Sequence, residues 1–228
     1  NTWWMEPRVA EGRLKELVYK VLPGLRIKTL ASVETPDTPR AVARENGKAF
    51  SRFATVLNFF LPNTITYINS GQEIFEIQPM NLGLDNNEEG RYVLKPNDPF
   101  YGKLAFFDHY VLHWNSDADM IDLITSLSVL RRENQSLLES EYLKLMWEED
   151  HLSIGLFYWN GTKGLLIAGN GDFSNMKDLY VDLGYHTWRG EHRIHWKLKD
   201  SGTSSHWNVG GNFHLSLGPG EIVVAIVE

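Results

Sequence analysis

Asp37 and Arg40 fall in the run Thr35-Pro36-Asp37-Thr38-Pro39-Arg40, a loop braced by prolines. A carboxylate held at such a point can stabilise developing positive charge, as in an oxocarbenium-like transition state. An arginine beside it can orient carboxylates through paired hydrogen bonds. A second polar cluster, Asn69-Ser70-Gly71-Gln72-Glu73, follows one β/α unit later. Glu34 and Gln72 are candidate hydrogen-bond partners for a polar ligand, and Glu73 either touches that ligand or supports its own loop. A purely structural reading competes for the first loop, with Asp37 capping the segment that follows and Arg40 solvated. Two histidine patterns carry less. His109 and His113 have the spacing of one helical face but lack the Glu of a metalloprotease helix. His192, His195 and Trp196 lie together with no further ligand at metal spacing. Neither metal nor cofactor is expected.

The elements that must hold these residues are legible from periodicity. Leu14, Leu17, Val18 and Val21 repeat at helical spacing and stop at Pro23-Gly24. Residues 25–33 form an apolar run that reads as a strand entering the proline-braced loop. Phe50, Phe53, Ala54, Leu57 and Phe60 give a second helix, ended by Pro62-Asn63, and residues 64–68 give a second strand. Ser116 and Asp119 suggest a capping box before a third helix with Met120, Leu123, Ile124, Leu127 and Leu130 as its buried stripe. Helix and strand alternate, so the strands should be parallel and both polar clusters should sit at one end. Residues 81–103 are polar and too long for an ordinary connection, which marks them as functional or disordered.

The character changes near Ser140. Strand patterns are then punctuated by Asn160-Gly161, Gly169-Asn170-Gly171, Gly210-Gly211 and Gly218-Pro219-Gly220, with Ile222–Val227 as a last apolar strand. Asn160-Gly161 is the strongest hairpin signal in the chain. Asn160-Gly161-Thr162 also matches a glycosylation sequon, though a tight turn explains it better. Residues 1–139 therefore read as α/β and residues 140–228 as an antiparallel β-sandwich.

Composition narrows the partners. With 22 basic and 29 acidic residues in 228, the net charge is −7, which sets nucleic acid and anionic membrane aside. No apolar run reaches the roughly 18 residues of a membrane-spanning helix. Cysteine is absent, which excludes disulfides and thiolate metal sites. Eight tryptophans suit a sugar-binding enzyme, and core packing accounts for them as well.

Asp37-Thr38-Pro39-Arg40, the helix from Phe50 to Phe60, and then Tyr67, Gly71 and Glu73 resemble, in order and spacing, the end of the catalytic barrel in the α-amylase family of glycoside hydrolases. The resemblance implies the last two β/α units of a (β/α)₈ barrel followed by the family's C-terminal β-sandwich. It makes Asp37 the transition-state-stabilising carboxylate, with Arg40, Glu34, Gln72 and Glu73 as substrate-binding residues. The family's Asn-His before that Asp is replaced here by Thr35-Pro36. That departure and the long 81–103 segment point to a divergent branch, and the segment Ile65 to Trp114, with Pro79-Met80-Asn81-Leu82-Gly83-Leu84 and Phe106-Phe107-Asp108-His109-Tyr110, resembles the bacterial maltosyltransferases of the family. An α-1,4-glucan or maltooligosaccharide is the implied substrate, and a cytoplasmic location is expected.

The family's nucleophilic Asp and acid Glu end earlier strands. Glu6 stands only one β/α unit before Asp37, where the acid should stand two, so it is not assigned as the acid. Trp3 and Trp4 would lie near the loop of the preceding strand, where an indole can stack on a pyranose. The expectation is a C-terminal fragment of a retaining α-glucan-active enzyme, inactive by itself. Two alternatives stand beside transfer: an α-amylase-type hydrolase, and a non-catalytic carbohydrate-binding protein using Trp188, Trp196 and Trp207.

Overall fold

The stripe of Leu14, Leu17, Val18 and Leu22 is buried, as its spacing requires. It belongs to α1, residues 14–24, which is α-helical over Leu14–Glu16, π-helical over Leu17–Val21 and α-helical again over Leu22–Gly24. The computed structural model describes residues 13–84, 86–139, 143–145, 152–184, 187, 190–199 and 207–228. Glu6, Trp3, Trp4 and Trp188 lie outside them.

Strand β1 (Thr29–Ala31) leads through the proline-braced loop and a 3₁₀ turn (Ala41–Ala43) into α2 (Gly47–Phe60), and β2 (Thr64–Thr66) follows. β1 and β2 pair in parallel, with Leu30 opposite Ile65. Both polar clusters follow the C-terminal ends of these strands, so they share one end of the sheet. Each ladder is shorter than the apolar run that announced it. Among the described residues each strand pairs with one neighbour, and Leu30 and Ile65 are 44% and 53% exposed. The third helix, α3 (Ile121–Glu133), is started differently from the expected capping box. Asp119 Oδ1 accepts from the Ile121 N–H at 3.1 Å, while the Ser116 hydroxyl bonds to Ala118 instead.

The remaining strands are β3 (Leu143–Leu145), β4 (Ser153–Trp159), β5 (Gly164–Asn170), β6 (Lys177–Asp182), β7 (His192–Leu198), β8 (Trp207–Val209), β9 (Asn212–Leu217) and β10 (Ile222–Val227). They form a six-stranded antiparallel sheet in the order β3-β4-β5-β10-β7-β8 and a two-stranded sheet of β6 and β9. β4 and β5 join through the expected Asn160-Gly161 turn. Asn160 Oδ1 accepts from the N–H groups of Thr162 and Lys163, and Gly161 takes φ +102°.

The alternation of side chains along a strand explains why β10 is apolar at every position. Ile222, Val224 and Ile226 join a core with α1, α2 and α3, whereas Val223, Ala225 and Val227 join a second core with Leu179, Val181, Leu215 and Leu217 of the small sheet. β5 does the same, with Leu165 and Ile167 on the helical side and Leu166 and Ala168 on the other. The central sheet is thus covered on both faces. α2, buried nearly all round, lies against it. At Gly169 the approach is close enough that a Cβ would come within 2.8 Å of Phe53 Cε2.

The end of α2 is tied down by groups from elsewhere in the chain. Its last carbonyls have no helical donor. Arg131 donates to Phe59 O and, at 2.9 Å, to Thr64 O, and Tyr158 Oη donates to Phe60 O at 2.6 Å. Burial pushes the Tyr158 hydroxyl pKa well up, so it stays a donor, and burial pulls the Arg131 pKa down.

Candidate functional site

Asp37 sits at the tip of a tight turn. Thr38 N donates to Thr35 O at 3.2 Å, Thr35 N donates to Thr38 Oγ1 at 2.8 Å, and Asp37 N donates to Thr35 Oγ1 at 3.3 Å. Pro36 and Pro39 restrict φ on either side. The tip is exposed while its two roots are buried.

Those roots are Glu34 and Arg40, each 1% exposed. Arg40 Nη1 donates to Glu34 Oε1 at 2.6 Å and to Ser70 O at 2.8 Å, and Arg40 Nε donates to Gln78 O at 2.9 Å. Glu34 also accepts from Asn69 Nδ2 at 3.0 Å and from the Ala41 N–H at 2.7 Å. Glu34 and Arg40 therefore lock the loop after β1 to the loop after β2. A buried charge pair needs this many partners, because desolvation otherwise outweighs the attraction.

The second loop turns at Gly71, where φ is +97° and a Cβ would stand 2.9 Å from Glu76 Cβ and 3.2 Å from Arg40 Nη2. Only glycine meets both conditions without strain. Gly71 N donates to Glu73 Oε2 at 2.8 Å, and Glu73 O accepts from the Met120 N–H at 2.7 Å ahead of α3. Glu73 thus braces its own loop through one carboxylate oxygen. Gln72 is 1% exposed and donates through Nε2 to Thr55 Oγ1 of α2 at 2.8 Å.

Residues 81–84 and 86–103 form a structured cover over this end of the sheet. Gln78 Nε2 donates to Arg91 O at 2.8 Å and to Lys103 O at 2.6 Å, which pins both limbs. Asn81 Nδ2 donates to Asp37 Oδ1 at 2.7 Å. A Cβ on Gly83 would lie 3.1 Å from Asp37 O, so the cover rests directly on the Asp37 turn.

A second fastening lies further along. His113 Nδ1 is 2.8 Å from Glu76 Oε2, its Nε2 is 3.3 Å from Asp98 Oδ2, and its backbone N–H donates to Glu76 Oε2 at 3.0 Å. Burial works against a charged His113, but the Glu76 hydrogen bond and the Glu76 and Asp98 charges outweigh it and hold its pKa above the ordinary value. Burial pushes Glu76 up, yet hydrogen bonds from Gln78 and His113 bring it below the usual carboxylate value. His109 and His113 share no helix, since this stretch is irregular.

The structure brings Asp37, Arg40, Glu34, Gln72 and Glu73 to one end of the β1–β2 pair. It leaves Asp37 outward-facing and gives Glu34, Arg40 and Gln72 partners within the protein. Gln78 and Glu76 were not singled out from sequence, Asn81 entered only as part of the 79–84 segment, and His113 was weighed only as half of a metal pair with His109, whereas the structure gives it Glu76 and Asp98 as partners. Only the unusual length of the 81–103 segment pointed to their neighbourhood. Elsewhere, Trp196 is 9% exposed and packs in the core of the two sheets, and His192 meets the Thr187 hydroxyl at 2.9 Å. Among the described residues, no three His, Asp or Glu side chains converge in an arrangement suited to a metal ion. No helix among them is long and apolar enough to cross a membrane.

No protein-family model matches the chain, and no curated protein matches it. Solved structures do. An Anoxybacillus α-amylase is similar over 97% of this chain and 46% of its own, at 14% identity and a TM-score of 0.65. A Bacillus licheniformis trehalose-6-phosphate hydrolase is similar over 95% of this chain and 47% of its own, at 13% identity and a TM-score of 0.66. A Geobacillus thermoleovorans α-amylase, solved in complex with acarbose, is similar over 89% of this chain and 39% of its own, at 15% identity and a TM-score of 0.60. At these identities the likeness is one of fold, and the chain spans less than half the length of each of these enzymes.

Proposed function

We propose that this chain is the C-terminal part of a retaining, α-glucan-active enzyme of the α-amylase type, with residues 1–139 ending its catalytic barrel and residues 140–228 forming its β-sandwich. The observation that carries this reading is Asp37. It stands exposed in the loop that follows a parallel strand, and the roots of that loop are hydrogen-bonded to the loop after the next strand. Active sites of (β/α)₈ barrels lie at that end. The fold likeness to two α-amylases and a trehalose-6-phosphate hydrolase supports the class. The acarbose complex of one of them supports an α-linked oligosaccharide as ligand.

In the intact enzyme an Asp from an earlier strand would attack the anomeric carbon, and a Glu would protonate the leaving oxygen. Asp37 would offset the positive charge that develops on the sugar ring. Water or a glucan hydroxyl would then take the glycosyl group. The 79–84 and 106–110 segments favour a glucan acceptor, hence maltosyl or 4-α-glucanosyl transfer within a cytoplasmic α-1,4-glucan pathway. Arg40, Glu34 and Gln72 would act on substrate mainly by fixing the two loops, and Glu73 by fixing the Gly71 turn.

The test is Asp37→Asn in the intact enzyme. The amide keeps the shape and loses the charge, so kcat should fall about 10²–10³-fold with KM little changed. Asn is also a good capping residue, so a merely structural Asp37 would leave kcat near wild type. That result would remove the reading.

A further inference from the structure

The cover formed by residues 81–103 touches Asp37 through a side chain whose orientation is determined. Asn81 Oδ1 accepts from the Leu82 N–H at 2.8 Å, which leaves its Nδ2 as the atom facing Asp37 Oδ1 at 2.7 Å. The Asn81 carbonyl is held in turn by Asn86 Nδ2 at 2.9 Å. Gly83 seats the same segment against the Asp37 backbone. The root of the segment is anchored by Gln78 and by Phe106 N, which donates to Met80 O at 3.1 Å. Asn81 therefore approaches from a braced position rather than a loose loop.

On the other side of the contact, the Asp37 turn does little to fix its own carboxylate. Its internal bonds engage the Asp37 backbone and the Thr35 and Thr38 hydroxyls. Among the described residues, Asp37 Oδ2 accepts no hydrogen bond. One oxygen is thus oriented by a neutral amide and the other is left open. A neutral donor stabilises the ionised form without cancelling its charge. A carboxylate that must meet developing positive charge needs both properties.

We propose that Asn81 is the positioning residue for Asp37: it fixes the carboxylate rotamer and leaves Oδ2 for the substrate. This makes the 81–103 segment a working part of the site. The proposal rests on the reading of Asp37 given above, and the experiment separates the two.

Asn81→Ala, Asn81→Asp and Asp37→Asn are compared in the intact enzyme on maltooligosaccharides. Asn81→Ala removes one hydrogen bond to a charged group, so kcat should fall about 10- to 100-fold while KM stays within about threefold. Asn81→Asp sets two carboxylates at hydrogen-bond distance, so one of them holds its proton to higher pH. The acid limb of the kcat profile should move up. A role confined to loop structure would lower the melting temperature of both variants and leave the kcat-to-KM split and the acid limb where they were. That pattern, with Asp37→Asn inactive, overturns the role of Asn81 alone. Full activity in Asp37→Asn overturns the reading of Asp37 and the proposal with it. If Asn81→Asp fails to fold, the split measured on Asn81→Ala decides.

Discussion

Arg40 Nη1 lies 2.6 Å from Glu34 Oε1, with both side chains shut away from solvent. The pair joins the roots of two loops, and Ser70 O, Gln78 O, Asn69 and the Ala41 N–H add four further hydrogen bonds to it. Removing one partner leaves a buried charge uncompensated, at a cost of about 3–5 kcal/mol. Arg40→Ala should therefore lower unfolding stability by about that amount in a denaturant titration. Arg40→Lys should recover little, because an ammonium cannot reproduce the fork that reaches Glu34, Ser70 and Gln78 together. A loss below about 1 kcal/mol in Arg40→Ala would show that water reaches the pair.

Gly71 carries the same lock from the other side. Its φ of +97° and the 2.9 Å a Cβ would have to Glu76 Cβ make Gly71→Ala costly twice over. Backbone strain and overpacking each add about 1–3 kcal/mol. The destabilisation should exceed about 2 kcal/mol, and Gly161→Ala is the control. Gly161 also has positive φ, but a Cβ there meets nothing within 4 Å, so only the backbone term applies. Equal losses at the two sites would mean that the Gly71 contact relaxes freely.

His113 gives the cover a pH dependence with a definite sign. Its pKa is raised from 6.5, so its contribution is fully present below that value and is lost as pH rises through the folded pKa. Glu76 is lowered from 4.5, so its contribution is present above that value and is lost as pH falls through its folded pKa. The clasp is tightest between the two. Among the described residues the groups facing His113 are Glu76, Asp98 and the rings of Phe100 and Tyr110, with Lys103 over the Phe100 ring. Hydrogen exchange across residues 98–113, corrected for intrinsic rate, should show more opening at about pH 8.5 than at about pH 6. His113→Ala should abolish the difference. Identical protection at both pH values in the wild type would sink the clasp.

The elements were legible in sequence where local chemistry decides them. Pro23-Gly24 and Pro62 end α1 and α2, and Asn160-Gly161 makes its hairpin, because these residues act on their own backbone. The contact between Asn81 and Asp37 was not legible. Asn81 lies in a polar stretch without period, and the two residues meet only once Gln78 has folded both limbs of the segment back. Burial of Glu34 and Arg40 was equally hidden. Charged loop residues are ordinarily exposed, and nothing local distinguishes a pair that shares four internal partners. Residues 25–33 show the converse: a run apolar enough for a sheet covered on both sides makes only a three-residue ladder with its single neighbour.

The boundary expected near residue 140 separates chain patterns, but the packing crosses it. Ile154, Leu156, Tyr158, Leu165, Ile167, Ile222, Val224 and Ile226 share one core with Leu17, Phe53, Leu57, Phe60, Leu127 and Leu130. Polar ties cross as well. Tyr19 Oη donates to Gly155 O at 2.9 Å, and Tyr158 Oη donates to Phe60 O at 2.6 Å. Fully burying a Leu, Ile or Val side chain contributes roughly 1.5–3 kcal/mol, so the eight strand residues together place on the order of 10 kcal/mol at this seam. That is comparable with the whole stability of an ordinary domain. Residues 140–228 expressed alone would present this face to water as a large apolar patch and should aggregate or stay molten. In the 228-residue chain the helices and the sheet should unfold together. Far-UV circular dichroism, which follows α2 and α3, and tryptophan fluorescence, which follows Trp159 and Trp196 among others, should give superimposable denaturation curves. Two separated transitions, with residues 140–228 soluble and cooperative alone, would show that the sheet does not depend on α2 for its inner face.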